Sequence, residues 1–368
     1  MMKYLFVLGR NVELSAEEVK AFLEKERIPF RVISAINNGL LIETERILNR
    51  IVDKLGGVIS LGEVLAEGDV RKIIQILDNK PLYNVRKNKL NYVLLNFNAK
   101  DFESISFYLK NRFRKEGLKA TEKKPTGRIK LQTGKEIPNV SSNLIDEQYF
   151  IFGEMFGKIT EKFDYEKTEK RDMEKPVRRS ELSISPRLAK ILINLSKVKN
   201  GETLLDPFCG IGTILQEALL QNIRVIGIDK ERKAIDCSEL NLKWFNFDKN
   251  DYRLINGDSS TIKIGRVDAI ATEPQLGELL KKMPSEEKAK EIIKNFEKLI
   301  TDVLKNLKKN VGGRIVFTAP LIFTEKKKVS CNFSMIAFQA GLKIAKGFPI
   351  DEFREDSIIG RSIVILEK

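Results

Sequence analysis

Short apolar runs alternate with apolar positions at helical spacing from the first residues onward, which predicts a mixed α/β chain. Over residues 1–66 the pattern is typical of a small ferredoxin-like α+β domain, and Asn-Asn-Gly supplies the turn of a hairpin. The expected elements are a strand over 4–9, a helix with its N-cap at Ser15, a hairpin of 30–34 with 39–43, a helix over about 45–55 and a strand over 59–66.

The next region, residues 67–165, is expected to form a second N-terminal domain. Its pattern predicts a strand over 91–97 and an amphipathic helix over 102–109. The most basic stretch of the chain follows, and it indicates either a surface that faces RNA or a solvated helix face and loop. The candidate RNA-binding residues in this stretch are Arg112, Arg114, Lys123, Lys124 and Arg128.

A polar segment, residues 166–184, has the composition of a linker. Ser185 and Pro186 then provide an N-cap and a first helical position. From residue 185 to residue 368, helices alternate with strands. This alternation predicts a Rossmann-like domain, a parallel doubly wound sheet that binds its ligands at the carboxyl ends of the strands.

The composition excludes several classes of enzyme. The 368 residues include no histidine, which excludes Ser-His catalytic groups and histidine-containing zinc sites, and we expect no metal. Three cysteines without Cys-x-x-Cys spacing argue against a disulfide framework. A formal charge of +14 favours a nucleic-acid partner over the alternative, a lysine-rich surface of the heat-adapted kind. Because there is no apolar run of membrane length and no targeting signal, we expect a cytoplasmic protein without membrane contact.

The strongest candidate site is the segment 206–213, Asp-Pro-Phe-Cys-Gly-Ile-Gly-Thr, which follows a short apolar strand and precedes a helix. A glycine-rich turn of this kind lets backbone amides approach a ligand. It lacks the spacing of the dinucleotide fingerprint and the Gly-Lys-Ser/Thr of a P-loop. Asp229 ends the second strand at the position of an acid that binds ribose, and Asp258 ends the third, where it could accept from an adenine amino group. Together they indicate an adenosyl ligand.

The chain resembles the THUMP-type tRNA guanine-N2 methyltransferases over roughly residues 165–368. The resemblance is carried by segment 206–213, by Gln-Glu-Ala at 216–218, by Arg-Asp-Met at 171–173 and by Ser-Pro-Arg-Leu-Ala at 185–189. It implies S-adenosylmethionine as the cofactor and an N-terminal THUMP-like domain that binds tRNA. The cofactor-binding residues that it implies are Ser185, Asp206, Phe208, Cys209, Gly210, Gly212, Thr213, Asp229, Lys230, Asp258 and Ser259.

A fourth strand, expected over 267–272, ends in Glu273-Pro274-Gln275-Leu276, where amino-methyltransferases usually carry Asp/Asn-Pro-Pro-aromatic. In the usual motif two oxygens accept the hydrogens of an exocyclic amine and turn its nitrogen toward the methyl group. Glu273 and the carbonyl of Pro274 are therefore the candidate catalytic groups. Gln275 and Leu276 stand at the positions that would contact the base, without the usual second proline and aromatic ring.

These features predict an S-adenosylmethionine-dependent methyltransferase that forms N2-methylguanosine in tRNA by direct transfer. One alternative is a DNA amino-methyltransferase, because the same amine-positioning motif serves adenine and cytosine. Another is a non-catalytic RNA-binding protein with a degenerate methyltransferase scaffold, which Gln275 and Leu276 suggest. A small activator subunit, which some relatives require, is a further possible partner.

Overall fold

The computed structural model describes residues 1–84, 88–125, 127–140, 144–178, 184–278, 280, 282–354 and 357–368. The chain divides into two compact units. The N-terminal unit comprises Met1–Ala16, Ile28–Asp53 and Gly57–Phe163, and the C-terminal unit comprises Glu17–Arg27, Lys54–Gly56 and Asp164–Lys368. Residues 179–183 of the predicted linker lie outside the described residues. No helix of the described part is both long and apolar enough to span a bilayer.

The N-terminal unit is built on an eight-stranded sheet and a two-stranded hairpin. Its strands are β1 (Met2–Leu8), β2 (Phe30–Ile36), β3 (Gly39–Thr44), β4 (Val58–Glu67), β5 (Lys89–Phe97), β6 (Lys119–Glu122), β7 (Gly127–Lys130), β8 (Glu136–Asn139), β9 (Glu147–Phe152) and β10 (Met155–Lys162). The helices that begin before residue 163 are α1 (Val12–Lys25), α2 (Val70–Asp78) and α3 (Phe102–Lys115). The sheet order is β2-β3-β1-β4-β10-β9-β5-β6, and β7 pairs with β8.

The domain boundary that the sequence predicted at residue 66 does not coincide with a boundary in the structure. A boundary at residue 66 would fall inside β4, which pairs with β1 on one side and with β10 on the other. Residues 1–66 and 67–163 therefore share one hydrogen-bonded sheet, and apart from Glu17–Arg27 and Lys54–Gly56 they belong to one compact unit. The ladder between β4 and β10 joins the two segments because each strand leaves an edge that only the other covers.

Two local predictions in this unit are wrong. The helix expected to begin at Ser15 begins at Val12, because the side chain of Asn11 accepts the N–H of Leu14 at 3.1 Å and caps it. The helix expected over 45–55 is reduced to one 3₁₀ turn, Val52–Lys54. The carboxylate of Glu161 accepts the N–H groups of residues 50–52, so these donors have a side-chain partner without a helix.

The C-terminal unit has the predicted doubly wound sheet. Its strands are β11 (Thr203–Asp206), β12 (Arg224–Asp229), β13 (Tyr252–Asn256), β14 (Ala269–Thr272), β15 (Ile315–Phe323), β16 (Lys328–Ser330), β17 (Lys343–Ile344), β18 (Ile350–Glu352) and β19 (Ile359–Glu367). Its helices are α4 (Tyr165–Glu174), α5 (Pro186–Leu195), α6 (Thr213–Leu219), α7 (Arg232–Trp244), α8 (Glu286–Leu307) and α9 (Phe333–Ala340), with a 3₁₀ turn at Lys308–Asn310.

The order of this second sheet creates a crevice beside β11. The main path runs β13-β12-β11-β14-β15-β19-β17, with β16 beside β15 and β18 beside β19. The strands β13, β12, β11, β14 and β15 are parallel, and β19 is antiparallel to β15. The chain order reverses between β11 and β14, so their carboxyl ends form the crevice where such sheets bind ligands.

Part of the predicted linker is helical. Asp164 caps α4 by accepting the N–H of Lys167 at 2.8 Å, and Arg171 on α4 makes a two-oxygen ion pair with the buried Glu217 of α6. Part of the polar segment that indicated a linker is therefore a helix that an ion pair joins to α6. Arg171 and Glu217 both come from the segments that carry the family resemblance.

Candidate active site

The loop between β11 and α6 is shaped by two glycines with left-handed backbone angles. Gly210 has φ +51°, and Gly212, the N-cap of α6, has φ +86°. A Cβ on Gly212 would lie 2.5 Å from the hydroxyl oxygen of Ser238, so this position requires glycine. A Cβ on Gly210 would meet no atom within 4 Å, so the space beside this residue is open to a ligand.

Asp206 holds the start of this loop from inside. Its Oδ1 accepts the hydroxyl of Thr272 at 2.6 Å and the N–H of Phe208 at 3.1 Å, and the side chain is buried. Burial raises the pKa of Asp206 to about 7, although both hydrogen bonds lower it; the charges of Asp229 and Glu273 raise it further. Asp206 thus ties the end of β11 to the end of β14, a loop-positioning role besides the cofactor contact that the sequence suggested.

Asp229 joins the second strand end to the loop. Its Oδ2 accepts the N–H of Gly210 at 3.0 Å, and its Oδ1 accepts the N–H of Glu231 at 2.9 Å. A carboxylate can accept about four hydrogen bonds, so Asp229 retains capacity for two ribose hydroxyls. Lys230 is exposed, and its carbonyl accepts from the side chain of Asn256 at 3.0 Å.

The third strand end contributes Asp258 and Ser259 in different ways. Asp258 is exposed, and its Oδ1 accepts the hydroxyl and the N–H of Ser260, which hold the pKa of Asp258 below its usual value. Ser259 is buried and donates its hydroxyl to the carbonyl of Pro207 at 2.6 Å. Ser259 therefore fixes the loop, while Asp258 has the exposed acceptor that an adenine amino group needs.

The other residues predicted around the cofactor mainly support the site through helix capping, buried hydrogen bonds and core packing. Ser185 caps α5 through the N–H of Leu188 at 3.2 Å, and buried Thr213 accepts from the ammonium of Lys175 at 3.4 Å. Phe208 packs against the core of the C-terminal unit. Cys209 is buried, and burial raises the pKa of its thiol well above the usual value, so it acts as a packing residue.

Glu273 is fixed by two side chains that the sequence reasoning missed. Arg361 on β19 donates from Nε to Oε2 at 2.6 Å and from Nη2 to Oε1 at 3.0 Å, and Thr318 on β15 donates to Oε2 at 3.2 Å. Arg361 and Thr318 lie 88 and 45 residues after Glu273, so no local motif connects them. Only the pairing of β14 with β15 and of β15 with β19 brings them together.

The rest of the fourth turn lacks the usual stacking ring. Pro274 is buried, and Gln275 is exposed and donates to the carbonyl of Gly277 at 3.2 Å. Leu276 is partly buried against the core of the unit. Gln275 thus presents an exposed amide on this turn, whereas Leu276 exposes only part of an aliphatic side chain.

The predicted RNA-binding residues belong to the N-terminal unit and divide into two groups. Arg112 is a correction: its guanidinium donates to the carbonyls of Leu77 and Lys80 and to Glu116, so it joins the ends of α2 and α3. The other four have exposed side chains on α3, after β6 and on β7, and Arg128 makes a surface ion pair with Glu136: Arg114, Lys123, Lys124 and Arg128.

Known proteins resemble the chain along most of its length. A family model for an RMKL-like methyltransferase domain matches residues 176–333, and a DNA methylase model matches residues 58–240. The tRNA (guanine(10)-N2)-dimethyltransferase of Methanothermobacter thermautotrophicus is 27% identical over 344 residues, which cover 91% of this chain and 94% of that protein. The chain is therefore similar to tRNA guanine-N2 methyltransferases over most of its length. A second relative of the same name, from Pyrococcus abyssi, is 28% identical over 294 residues, or 75% of this chain and 78% of that protein.

The fold of the chain also has a solved counterpart. The crystal structure of TrmN from Thermus thermophilus covers 100% of both chains with a TM-score of 0.52 and 16% sequence identity. This likeness confirms the α/β fold, in which a Rossmann-like methyltransferase domain follows an α/β N-terminal region along the chain.

The strand ends fit S-adenosylmethionine, the cofactor that the similarity to methyltransferases implies. Open space beside Gly210 leaves room for a ligand against the loop backbone. Asp229 and the exposed Asp258 offer carboxylate acceptors of the kind that ribose hydroxyls and an adenine amino group require. Glu273 and Asp229 both lie near enough to Asp206 to affect its pKa, so the cofactor loop and the fourth turn belong to one site.

Proposed function

We propose that this chain transfers a methyl group from S-adenosylmethionine to the exocyclic N2 of a guanine in tRNA. The observation that carries the proposal is the hydrogen bond between Thr272 and Asp206, which places the Glu273-Pro274 turn beside the cofactor loop. Similarity to tRNA (guanine(10)-N2)-dimethyltransferases over most of the chain supports tRNA guanine as the acceptor.

The residues around the loop hold the cofactor by hydrogen bonds and by shape. Backbone at Gly210 leaves room for the ligand, Asp229 accepts from the ribose, and Asp258 accepts from the adenine amino group. The bound cofactor supplies an electrophilic methyl group on a sulfonium. The electron pair of the carbon–sulfur bond that breaks stays on sulfur, which is the leaving group. The protein mainly has to align the attacking nitrogen, and no histidine is needed for this chemistry.

Glu273 and the carbonyl of Pro274 accept the two hydrogens of the guanine amine. This geometry turns the nitrogen lone pair, otherwise delocalised into the ring, toward the methyl group. The nitrogen forms its new bond to carbon and then releases one proton to Glu273 or to water. Leu276 stands where the usual motif has an aromatic ring, so the base is bound without stacking at this position. Gln275 provides an exposed amide next to Leu276.

The N-terminal unit selects the RNA in this proposal. Its THUMP-like role rests on four exposed basic side chains, which can contact phosphates without first breaking a buried interaction: Arg114, Lys123, Lys124 and Arg128. Phosphate contacts of this kind fix the position of a nucleic acid and carry little sequence information. The choice of nucleotide then depends on which guanine reaches Glu273.

The proposal is tested by incubating the purified chain and labelled S-adenosylmethionine with an unmodified tRNA transcript, followed by nucleoside mass spectrometry. We expect N2-methylated or N2,N2-dimethylated guanosine from wild type and at least a 100-fold lower rate from Glu273→Ala. Glu278→Ala is the matched control, because Glu278 is exposed on the same turn and pairs with Lys288 on the surface.

Duplex DNA is the second substrate arm, since a DNA methylase model matches part of the chain. Methylation of DNA but not of tRNA would overturn the proposal, and so would cofactor binding without any methylated nucleoside. Because the reaction contains the purified chain alone, methylation of tRNA in it would show that no activator subunit is required.

A further inference from the structure

The ion pair of Glu273 with Arg361 uses the two carboxylate oxygens unequally. Oε2 accepts from Nε of Arg361 at 2.6 Å and from the hydroxyl of Thr318 at 3.2 Å. Oε1 accepts only from Nη2 of Arg361, at 3.0 Å, among the contacts of the described residues. Each carboxylate oxygen accepts about two hydrogen bonds. Oε2 is therefore saturated, and Oε1 has one remaining site.

The position of this pair in the sheet links it to the reaction. Thr272 pairs with Phe317, so Glu273 lies at the level of Thr318, at the carboxyl end of β14. Arg361 lies on β19, which is antiparallel to β15, and pairs there with Pro320 of β15. Its side chain extends from β19 to Glu273 in the turn after β14. The pair thus stands at the ligand-binding edge, with 10% of the Glu273 side chain and 31% of the Arg361 side chain exposed.

A second arginine–glutamate pair that involves β19 provides a comparison. Arg314, just before β15, donates from Nε to Glu367 of β19 at 2.6 Å. Arg314 lies at the amino-terminal end of β15, away from the strand ends that carry the cofactor loop. The residue types are the same, but this pair joins β19 to the start of β15 and not to the end of β14.

Glutamate has one more rotatable bond than the Asp or Asn usual at this place, so an unrestrained Glu273 would spread its oxygens over several positions. Misplacement by about 1 Å lowers catalytic rates by roughly 100-fold. The planar fork of arginine restricts both the position and the plane of a carboxylate. A bidentate partner therefore provides the restraint that the longer side chain needs.

We infer that Arg361 and Thr318 are positioning residues that hold Glu273 so that Oε1 accepts a hydrogen of the target amine. This inference rests on the proposed function. It assigns Oε1 rather than Oε2 as the catalytic acceptor and explains how glutamate can replace the usual shorter residue. Arg361 acts through Glu273 and does not touch the reacting atoms.

The test measures single-turnover methylation of tRNA together with cofactor affinity by calorimetry. We expect Arg361→Met to lower the rate constant at saturating substrates by roughly 100-fold, with cofactor affinity within about twofold of wild type. Arg361→Lys keeps the charge but loses the planar fork, so its rate constant is expected to lie between those of wild type and Arg361→Met. Thr318→Val is expected to cost less, because Oε2 keeps its bond to Arg361.

The variant pair Glu273→Gln and Arg361→Met separates positioning from a general structural role. If Arg361 acts through Glu273, the double variant is much less impaired than the product of the two single effects. Arg314→Met controls for losing a partly buried arginine between β15 and β19, and it is expected to keep the wild-type rate.

Three results would overturn the inference: multiplicative effects in the double variant, a wild-type rate in Arg361→Met, or an equal loss in Arg314→Met. In each of these cases an active wild type leaves the proposed function standing. A wild type that methylates no RNA would refute both the inference and the proposed function, so the two failures are distinguishable.

Discussion

Asp206→Asn is expected to stabilise the C-terminal unit at alkaline pH. Wild-type Asp206 is buried, and burial raises its pKa to about 7. An asparagine keeps an acceptor oxygen for Thr272 and for the N–H of Phe208 but has no charge to bury. The gain should therefore appear only at a pH where the wild-type acid must ionise.

The sign follows from the protons that each state binds. Below about pH 4 the acid is protonated in both states, and the folded state has its full advantage. Between about pH 4 and pH 7 the unfolded chain loses this proton while folded Asp206 keeps it, so wild type loses stability as pH rises. Between pH 5 and pH 8 the two states differ by one proton over about 2 pH units, so wild type loses about 3 kcal/mol of unfolding free energy. Asp206→Asn removes this loss because asparagine does not ionise.

Urea unfolding at pH 5 and pH 8, followed by tryptophan fluorescence, measures this difference. Trp244 is the only tryptophan of the chain and lies on α7, so its signal reports on the unit that contains Asp206. Asp258→Asn is the control, because Asp258 is exposed and its pKa is lowered rather than raised. The prediction is wrong if the unfolding free energy of Asp206→Asn, relative to that of wild type, does not increase between pH 5 and pH 8.

Three further predictions concern the buried ion pair, the cofactor and the RNA. Glu217→Ala should destabilise the C-terminal unit by roughly 3–5 kcal/mol in the same urea assay because it removes the buried carboxylate that pairs with Arg171 and Lys190, whereas Glu239→Ala, at a partly exposed surface pair, should cost under about 1 kcal/mol; equal losses would contradict this. Asp229→Ala should weaken cofactor binding by roughly 10- to 100-fold in calorimetry while Asp236→Ala leaves it unchanged, and an unaltered affinity would argue against the ribose contact. A quadruple glutamine variant should lower the dependence of log K on log salt for tRNA binding by up to about 3, and an unchanged slope would place the RNA elsewhere. The four substituted residues are Arg114, Lys123, Lys124 and Arg128.

The parallel sheet and the cofactor loop could be predicted because their signals are local. The acids that follow three successive strands lie within about 50 residues of one another in the sequence, and the carboxyl ends of parallel strands meet at one edge. Glu273 was also predictable from its place after the fourth strand. Chain order alone brings these residues together once the strands are recognised.

The partners of Glu273 could not be predicted from any local pattern. Arg361 reaches Glu273 because β19 folds back antiparallel to β15, and a sequence alone does not give the register of that pairing. Arg112 shows the opposite error, since a basic run suggested an RNA contact where the guanidinium is used to join two helices. Composition counts charges without showing which ones the fold uses.

The most direct test of the proposed reaction is nucleoside mass spectrometry of one unmodified tRNA transcript after reaction with wild type and with Glu273→Ala. We expect N2-methylated guanosine with wild type, none above background with the variant, and equal cofactor binding by the two proteins. A variant that methylates guanine N2 at the wild-type rate would contradict the role of Glu273. A wild type that binds the cofactor and leaves every guanine unmodified would contradict the assigned reaction.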